Sequence, residues 1–234
     1  MSISEQLEAI RERIAGAARR AGRNPDGVAL MAVCKTFPAE AIIEAYKAGQ
    51  RLFGENKVQE FAEKSTAVAH LADAQFHMIG HLQSNKATKA AEIFHAVDSV
   101  DSAKLAQRLN DAAEKLGKTL DVLLEVNVGG EEAKSGLSPD SPEIEAILQQ
   151  AASWTRLRLR GLMTVPPYTE DPEGARPHFR ALRELRDRLA ARNYPGVALD
   201  TLSMGMSHDF EVAIEEGSTC VRVGTAIFGE RHYQ

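Results

Sequence analysis

Hydrophobic and polar positions change period along the chain, and the changes mark the elements. Near the N-terminus, Leu7, Ile10, Ile14 and Ala18 recur at three- and four-residue spacing, the stripe of an amphipathic helix. Ser2 followed by Glu5 fits a capping box, and Gly22 with Asn24-Pro25 ends the segment. From Val28 onward, short apolar, β-rich runs alternate with helical sequence. The runs are residues 28–35, 51–54, 76–80, 95–99, 121–128, 157–163, 198–204 and 219–224. Pro38 opens the first intervening helix and Gly49 closes it. A second covers 56–70, and a short one follows 76–80. Leu105, Leu109, Ala112 and Leu116 stripe another. Ser141-Pro142 pairs a cap residue with a first-turn proline, and further helices are predicted over 172–192 and 207–216.

Eight strands, each followed by helical sequence, predict parallel pairing, because parallel neighbours need crossover connections. The count and the near-continuous apolar strands predict an α/β fold, a single closed (β/α)8 TIM-type barrel with an extra N-terminal helix. An open doubly wound sheet is the rival. Lys35-Thr36-Phe37-Pro38 follows the first strand, however, where that fold would carry G-x-G-x-x-G. Without a linker or repeat, residues 1–234 are expected to form one domain, with 1–24 as the N-terminal helix and 28–231 as the barrel.

Composition narrows the function classes. With 44% hydrophobic and 26% charged residues, wholesale disorder is excluded. A formal charge of −5 argues against a general nucleic-acid or anionic-membrane binder. Arg19-Arg20 and Arg23 are too small a basic patch to change that, and the run of arginines from Arg176 to Arg192 reads as a solvated helix face. No apolar run approaches the roughly 20 residues of a membrane span, and the charged N-terminus does not resemble a signal peptide. Cys34 and Cys220 are too few for a disulfide framework and are expected as reduced thiols in a cytoplasmic protein. His77 and His81 straddle a strand end and no H-E-x-x-H occurs, so no metal site is expected.

In a barrel the strand C-termini face the active site. The polar or soft residues predicted there are Lys35, Asn56, His77, His81, Asn127, Met163, Ser203, Ser207, Arg222 and Thr225. Lys35 ends a strongly apolar strand. An amine in an apolar mouth loses charge stabilisation and becomes a nucleophile for carbonyls, unless it simply reaches solvent. In Met204-Gly205-Met206-Ser207-His208-Asp209 a strand ends, a glycine turns the backbone, and Ser207 is placed to cap a helix whose amides could hold an anion. Arg222 and Gly224, two apart, point to one side of the last strand. A phosphate site after strands seven and eight together with an amine suits pyridoxal 5'-phosphate (PLP). A lysine imine on a sugar phosphate suits the same features.

The stretches AVCKTFP, FGENKVQE, HMIGHLQSNK, VNVGGEEAKSG, RGLMT, LSMGMSHDFEVAIEEGST and VRVGTAIFGER, in order along nearly the whole chain, resemble the YggS/PROSC family of pyridoxal phosphate homeostasis proteins. That family is similar to the barrel of alanine racemase. The resemblance implies PLP held as an internal aldimine on Lys35. It implies a phosphate cup of Ser207, the backbone around Met206, Gly224 and Thr225, and Arg222 at the pyridine nitrogen. Asn56 and His77 are implied near the ring, and Lys134 matches a family lysine outside the aldimine position. Cys34 and Lys57 stand where serine and an aromatic are frequent in the family. The implied role is non-catalytic: storage, buffering or delivery of cofactor to apo PLP-dependent enzymes. A small PLP-dependent racemase is the alternative. The last barrel element lies close to Gln234, so no second domain is expected and a monomer is the expectation. Cys34 is expected as a small buried residue, and Met204 and Met206 as gap fillers.

Overall fold

The computed structural model describes residues 1–131 and 135–229. Their strands are β1 (Ala29–Val33), β2 (Leu52–Glu55), β3 (Gln75–Met78), β4 (Ala96–Val100), β5 (Leu120–Glu125), β6 (Leu157–Met163), β7 (Val197–Met206) and β8 (Cys220–Val223). All pair in parallel and in chain order, and β1 closes on β8 with Ala29 opposite Cys220 and Ala32 opposite Val223. The helices are α1 (Ile3–Arg20), α2 (Ala39–Lys47), α3 (Val58–Val68), α4 (Ala87–Ile93), α5 (Ala103–Lys115), α6 (Pro142–Gln150), α7 (Arg176–Ala190), α8 (Phe210–Glu215) and α9 (Thr225–Phe228). The predicted closed barrel with a leading helix is therefore the fold. Every residue of β4 is buried, as expected of a strand covered on both faces.

Local chemistry sets most of the boundaries. The capping box closes α1: the Glu5 N–H donates to Ser2 Oγ at 3.3 Å and the Ser2 N–H donates to Glu5 Oε2 at 2.7 Å. Ser141 accepts the Glu143 N–H at 3.2 Å and Pro142 opens α6. Several boundaries differ from the pattern. The first strand stops at Val33, because Cys34 to Phe37 form a turn. Residues 172–175 are a 3-10 turn before α7. The last long helix begins at Phe210 rather than Ser207, because the Asp209 carboxylate takes the Met206 N–H at 2.6 Å and closes a turn there.

The core is continuous from the barrel to the helical shell. Phe53 and Phe76 stack at 5.3 Å, and Phe61 of α3 bridges Phe76 and Phe94 at 4.7 and 4.9 Å. α1 buries Leu7, Ile10, Ile14, Ala17 and Ala18 and packs on α8. Ion pairs from Arg13 and Arg20 to Glu211 are 2.8 Å long, but the arginines are half exposed, so these pairs set register more than stability. The arginine run is more than a solvated face: Arg176, Arg180 and Arg183 converge on the buried Glu216 carboxylate at 3.2, 3.0 and 2.9 Å. The charge pattern of α7 hid this contact, since its acid is supplied from beyond α8. Among the described residues, no helix is long and apolar enough to cross a membrane.

Candidate functional site

A cavity of about 530 Å³ opens at the C-terminal mouth of the barrel, within the usual size range of small-molecule pockets. Its wall includes Lys35 from the turn after β1, Asn56 after β2, Met206 and Ser207 after β7, and Arg222, Gly224 and Thr225 from β8 onward. Seven of the eight predicted cofactor-binding residues therefore meet in one place.

Glycines allow the backbone to approach closely here. A Cβ on Gly80 would lie 2.3 Å from the Asn56 carbonyl oxygen, so the turn after β3 can rest against the turn after β2 only as glycine. Gly205, at φ +94°, would drive a Cβ to 2.5 Å from Ala213, and so it lets β7 bend onto α8 just before Ser207.

Two polar devices stand on the last strands. Ser207 Oγ accepts the Gly224 N–H at 3.3 Å and lies 3.3 Å from Thr225 Oγ1, which donates to it. The Met206 N–H is committed to Asp209, so Met206 lines the cavity without offering that amide to an anion. Arg222 is 3% exposed. Its Nη1 donates to Ser203 Oγ and its Nη2 to the Thr164 carbonyl, both at 2.8 Å. Burial pushes its pKa down, opposed by Cys220, Asp98, Asp209 and Glu125. A guanidinium starts so high that it stays charged.

His77 does not reach the mouth, where it is expected near the ring. It lines a second cavity of about 450 Å³ at the opposite, N-terminal end of the barrel, shared with Ala29, Asp121 and Cys220. Its Nδ1 lies 3.1 and 3.3 Å from the buried Asp98 carboxylate. The motif HMIGHLQSNK spans the depth of the barrel, and only its later residues Ile79, Gly80 and His81 reach the mouth. Met163 and Ser203 are buried in the barrel wall, and Lys134 lies outside the described residues.

The mouth also contains groups that pattern reading did not single out. Glu125, at the end of β5, is 7% exposed, and the Ser135 hydroxyl stands 3.0 and 3.1 Å from its two oxygens. Burial raises its pKa, with Ser135 opposing. The signal was present: a carboxylate ends an apolar strand there as Lys35 follows one. Cys34 and Cys220 are free and buried. Burial holds both thiols up, Cys220 to about 12, so neither is primed as a thiolate.

An amine, two neighbouring hydroxyls and a buried guanidinium in one cavity suit a planar ligand that carries a carbonyl and an anionic group. Comparison with known proteins agrees. Residues 6–232 match the family described as alanine racemase, N-terminal domain. The pyridoxal phosphate homeostasis protein of Aquifex aeolicus (strain VF5) is 47% identical over 233 residues, covering 100% of each chain. Its counterpart in Escherichia coli (strain K12) is 44% identical over 237 residues, covering 99% of this chain and 97% of that one. PipY of Synechococcus elongatus, solved with PLP bound, is 38% identical with a TM-score of 0.84, over 97% of this chain and 100% of PipY. An alanine racemase from Clostridium difficile, 16% identical with a TM-score of 0.71 over 98% of this chain and 57% of that one, shares the fold alone. With such identity sustained from end to end, the chain belongs to the pyridoxal phosphate homeostasis protein family, built on the alanine racemase N-terminal-domain barrel.

Proposed function

We propose that this chain binds PLP at the barrel mouth and serves PLP homeostasis, storing, buffering or delivering the cofactor without efficient catalysis of its own. In this role residues 1–234 form one cofactor-binding domain, monomeric and cytoplasmic, with apo PLP-dependent enzymes as transient recipients. The meeting of Lys35, the Ser207–Gly224–Thr225 cluster and Arg222 in a single cavity carries it. Bound PLP supplies an aldehyde that a lysine amine can capture and a ring that withdraws electrons. Lys35 offers that amine from the turn after β1. Ser207 would hold the phosphate with its hydroxyl, backed by the Gly224 N–H and the Thr225 hydroxyl that donate to its oxygen, and Asn56 would border the ring. Arg222 would stand at the ring nitrogen, and its guanidinium does not give up its proton. Such an arginine would leave that nitrogen unprotonated and so keep electron withdrawal weak.

A racemase needs a second proton-transfer group opposite Lys35. Glu125 is a carboxyl in the same cavity, but both its oxygens stand within hydrogen-bond reach of Ser135. Two assays run together decide the matter. Borohydride reduction and peptide mapping should place the pyridoxyl label on Lys35, and Lys35→Ala should lose it. Loaded protein should activate an apo PLP enzyme faster than free cofactor does, while chiral analysis of alanine and serine shows negligible racemisation. Label on another lysine would refute the site. Lys35-dependent racemisation at many turnovers per second would refute the carrier role. A rate of activation no faster than free PLP would reduce the role to storage or buffering.

A further inference from the structure

The turn that presents Lys35 is held from behind by charged groups outside the cavity. The Phe37 N–H donates to the Cys34 carbonyl at 3.2 Å, closing a β-turn over Lys35 and Thr36. Thr36 has φ +67°, a left-handed conformation that a β-branched residue adopts only under constraint. Three side chains supply the constraint. The Thr36 N–H donates to Glu60 Oε1. Lys64 Nζ donates to the Cys34 and Phe37 carbonyls at 3.2 and 3.1 Å, the two carbonyls that flank the Lys35-Thr36 pair. The same Nζ donates to Glu55 Oε1 at 2.6 Å and stands 3.6 Å from Glu60.

Glu55 ends β2 with its side chain fully buried, and among the described residues its Oε2 has no hydrogen-bond partner. A buried ion pair is an inefficient way to hold a fold together, because apolar residues of similar size often serve as well. What this pair does specifically is tie β2 and α3 to the two ends of a single strained turn. Lys64 and Glu60 lie one helical turn apart on α3, so both reach the same spot. None of the three side chains lines the cavity.

We propose that Glu55, Glu60 and Lys64 form a clamp that holds Thr36 in its left-handed conformation and so aims the Lys35 amine into the cavity. They are positioning residues. Their connection to the ligand rests on the PLP-binding reading above, whereas their hold on the turn does not.

The test uses the full chain, with Lys64→Met, Thr36→Gly and the double variant. Glycine adopts positive φ without strain, so Thr36→Gly removes the need for the clamp. In protein without cofactor, hydrogen exchange at the Thr36 and Phe37 amides should quicken in Lys64→Met while β1 and β2 stay protected. The quickening should shrink when Thr36→Gly is already present. PLP is then titrated beside pyridoxine 5'-phosphate, which keeps the ring and phosphate but lacks the aldehyde. Lys64→Met should weaken PLP by roughly tenfold, since a preorganised amine is lost, and leave pyridoxine 5'-phosphate within about twofold. The double variant should recover most of the PLP affinity. Unchanged exchange at Thr36, or equal weakening of both ligands, overturns the clamp. If Lys64→Met does not fold, Glu60→Gln, on the more exposed side, reads the same turn by the same two measurements. Failure of the wild-type protein to bind PLP through Lys35 refutes the functional reading instead, and the exchange comparison then decides the clamp alone.

Discussion

Removing one hydroxyl, in Ser207→Ala, probes the anion cradle most directly. Ser207 Oγ is an acceptor in both of its contacts, from the Gly224 N–H and from Thr225 Oγ1, each at 3.3 Å. Its own O–H therefore points to a third partner, which in the PLP-binding reading is the phosphate. A hydrogen bond to a charged group is worth about 1.5–3 kcal/mol. At about 1.4 kcal/mol per tenfold, its loss raises the Kd for PLP about 10- to 150-fold. Truncation also releases the Gly224 N–H and the Thr225 hydroxyl, and both can turn to the anion. The lower end, about tenfold, is the expected value. Ser207 lies at the partly exposed mouth, so folding stability should move by no more than about 0.5 kcal/mol. The assay titrates wild type and Ser207→Ala with PLP and with pyridoxal, following absorbance, with a thermal melt as folding control. Pyridoxal, lacking the phosphate, should bind both proteins within about twofold of each other. If pyridoxal weakens by the same factor as PLP, or PLP does not weaken, the phosphate is held elsewhere.

Glu216→Gln should destabilise the fold by about 1–2 kcal/mol in urea denaturation, because three arginines lose their shared charge but remain partly solvated. Burial raises the Glu216 pKa, but hydrogen bonds from Arg180 and Arg176 outweigh it and the net shift is downward. Its contribution is thus present above the ordinary carboxylate value and lost as pH falls through the lowered one, so the variant should flatten the acid limb of the stability curve. His77 behaves oppositely: burial lowers its pKa, yet Asp98 outweighs burial and the net shift is upward from 6.5. Its contribution is complete below 6.5 and is lost as pH rises through the raised value. His77→Asn should remove that loss, measured by melting across the interval, and leave PLP affinity within about twofold, because the residue sits at the far end of the barrel. A large loss of PLP affinity would mean that the two ends of the barrel are coupled.

Chain-local physics was enough to read the eight strands, the capped N-terminal helix and parallel closure, since apolar period, cap residues and crossover lengths are local properties. The same logic found Lys35, whose oddness is that it follows an apolar strand, and Ser207, Arg222, Gly224 and Thr225, which lie at the ends of the last two strands. Depth along a strand was a different matter. Whether a motif residue faces the mouth or the floor depends on register against its neighbours, and bulges shift that register between Ser203 and Met206 and within β4 to β7. His77 pairs with Ala96, the first residue of β4, and so stands at the floor, whereas Glu125, the last residue of β5, stands at the mouth, and the Met206 amide at the bulged end of β7 bonds to Asp209. Convergence of distant charges was equally hidden. Glu216 gathers arginines up to 40 residues away, and Lys64 reaches back 30 residues to the Cys34 carbonyl. Sequence by itself determined which segments form strands and helices and which side chains could do chemistry at the strand ends. Only the closed tertiary structure decided which of them share a cavity and which brace it from behind, because hydrogen-bond and ion-pair geometry depends on ångström distances between elements that local sequence does not encode.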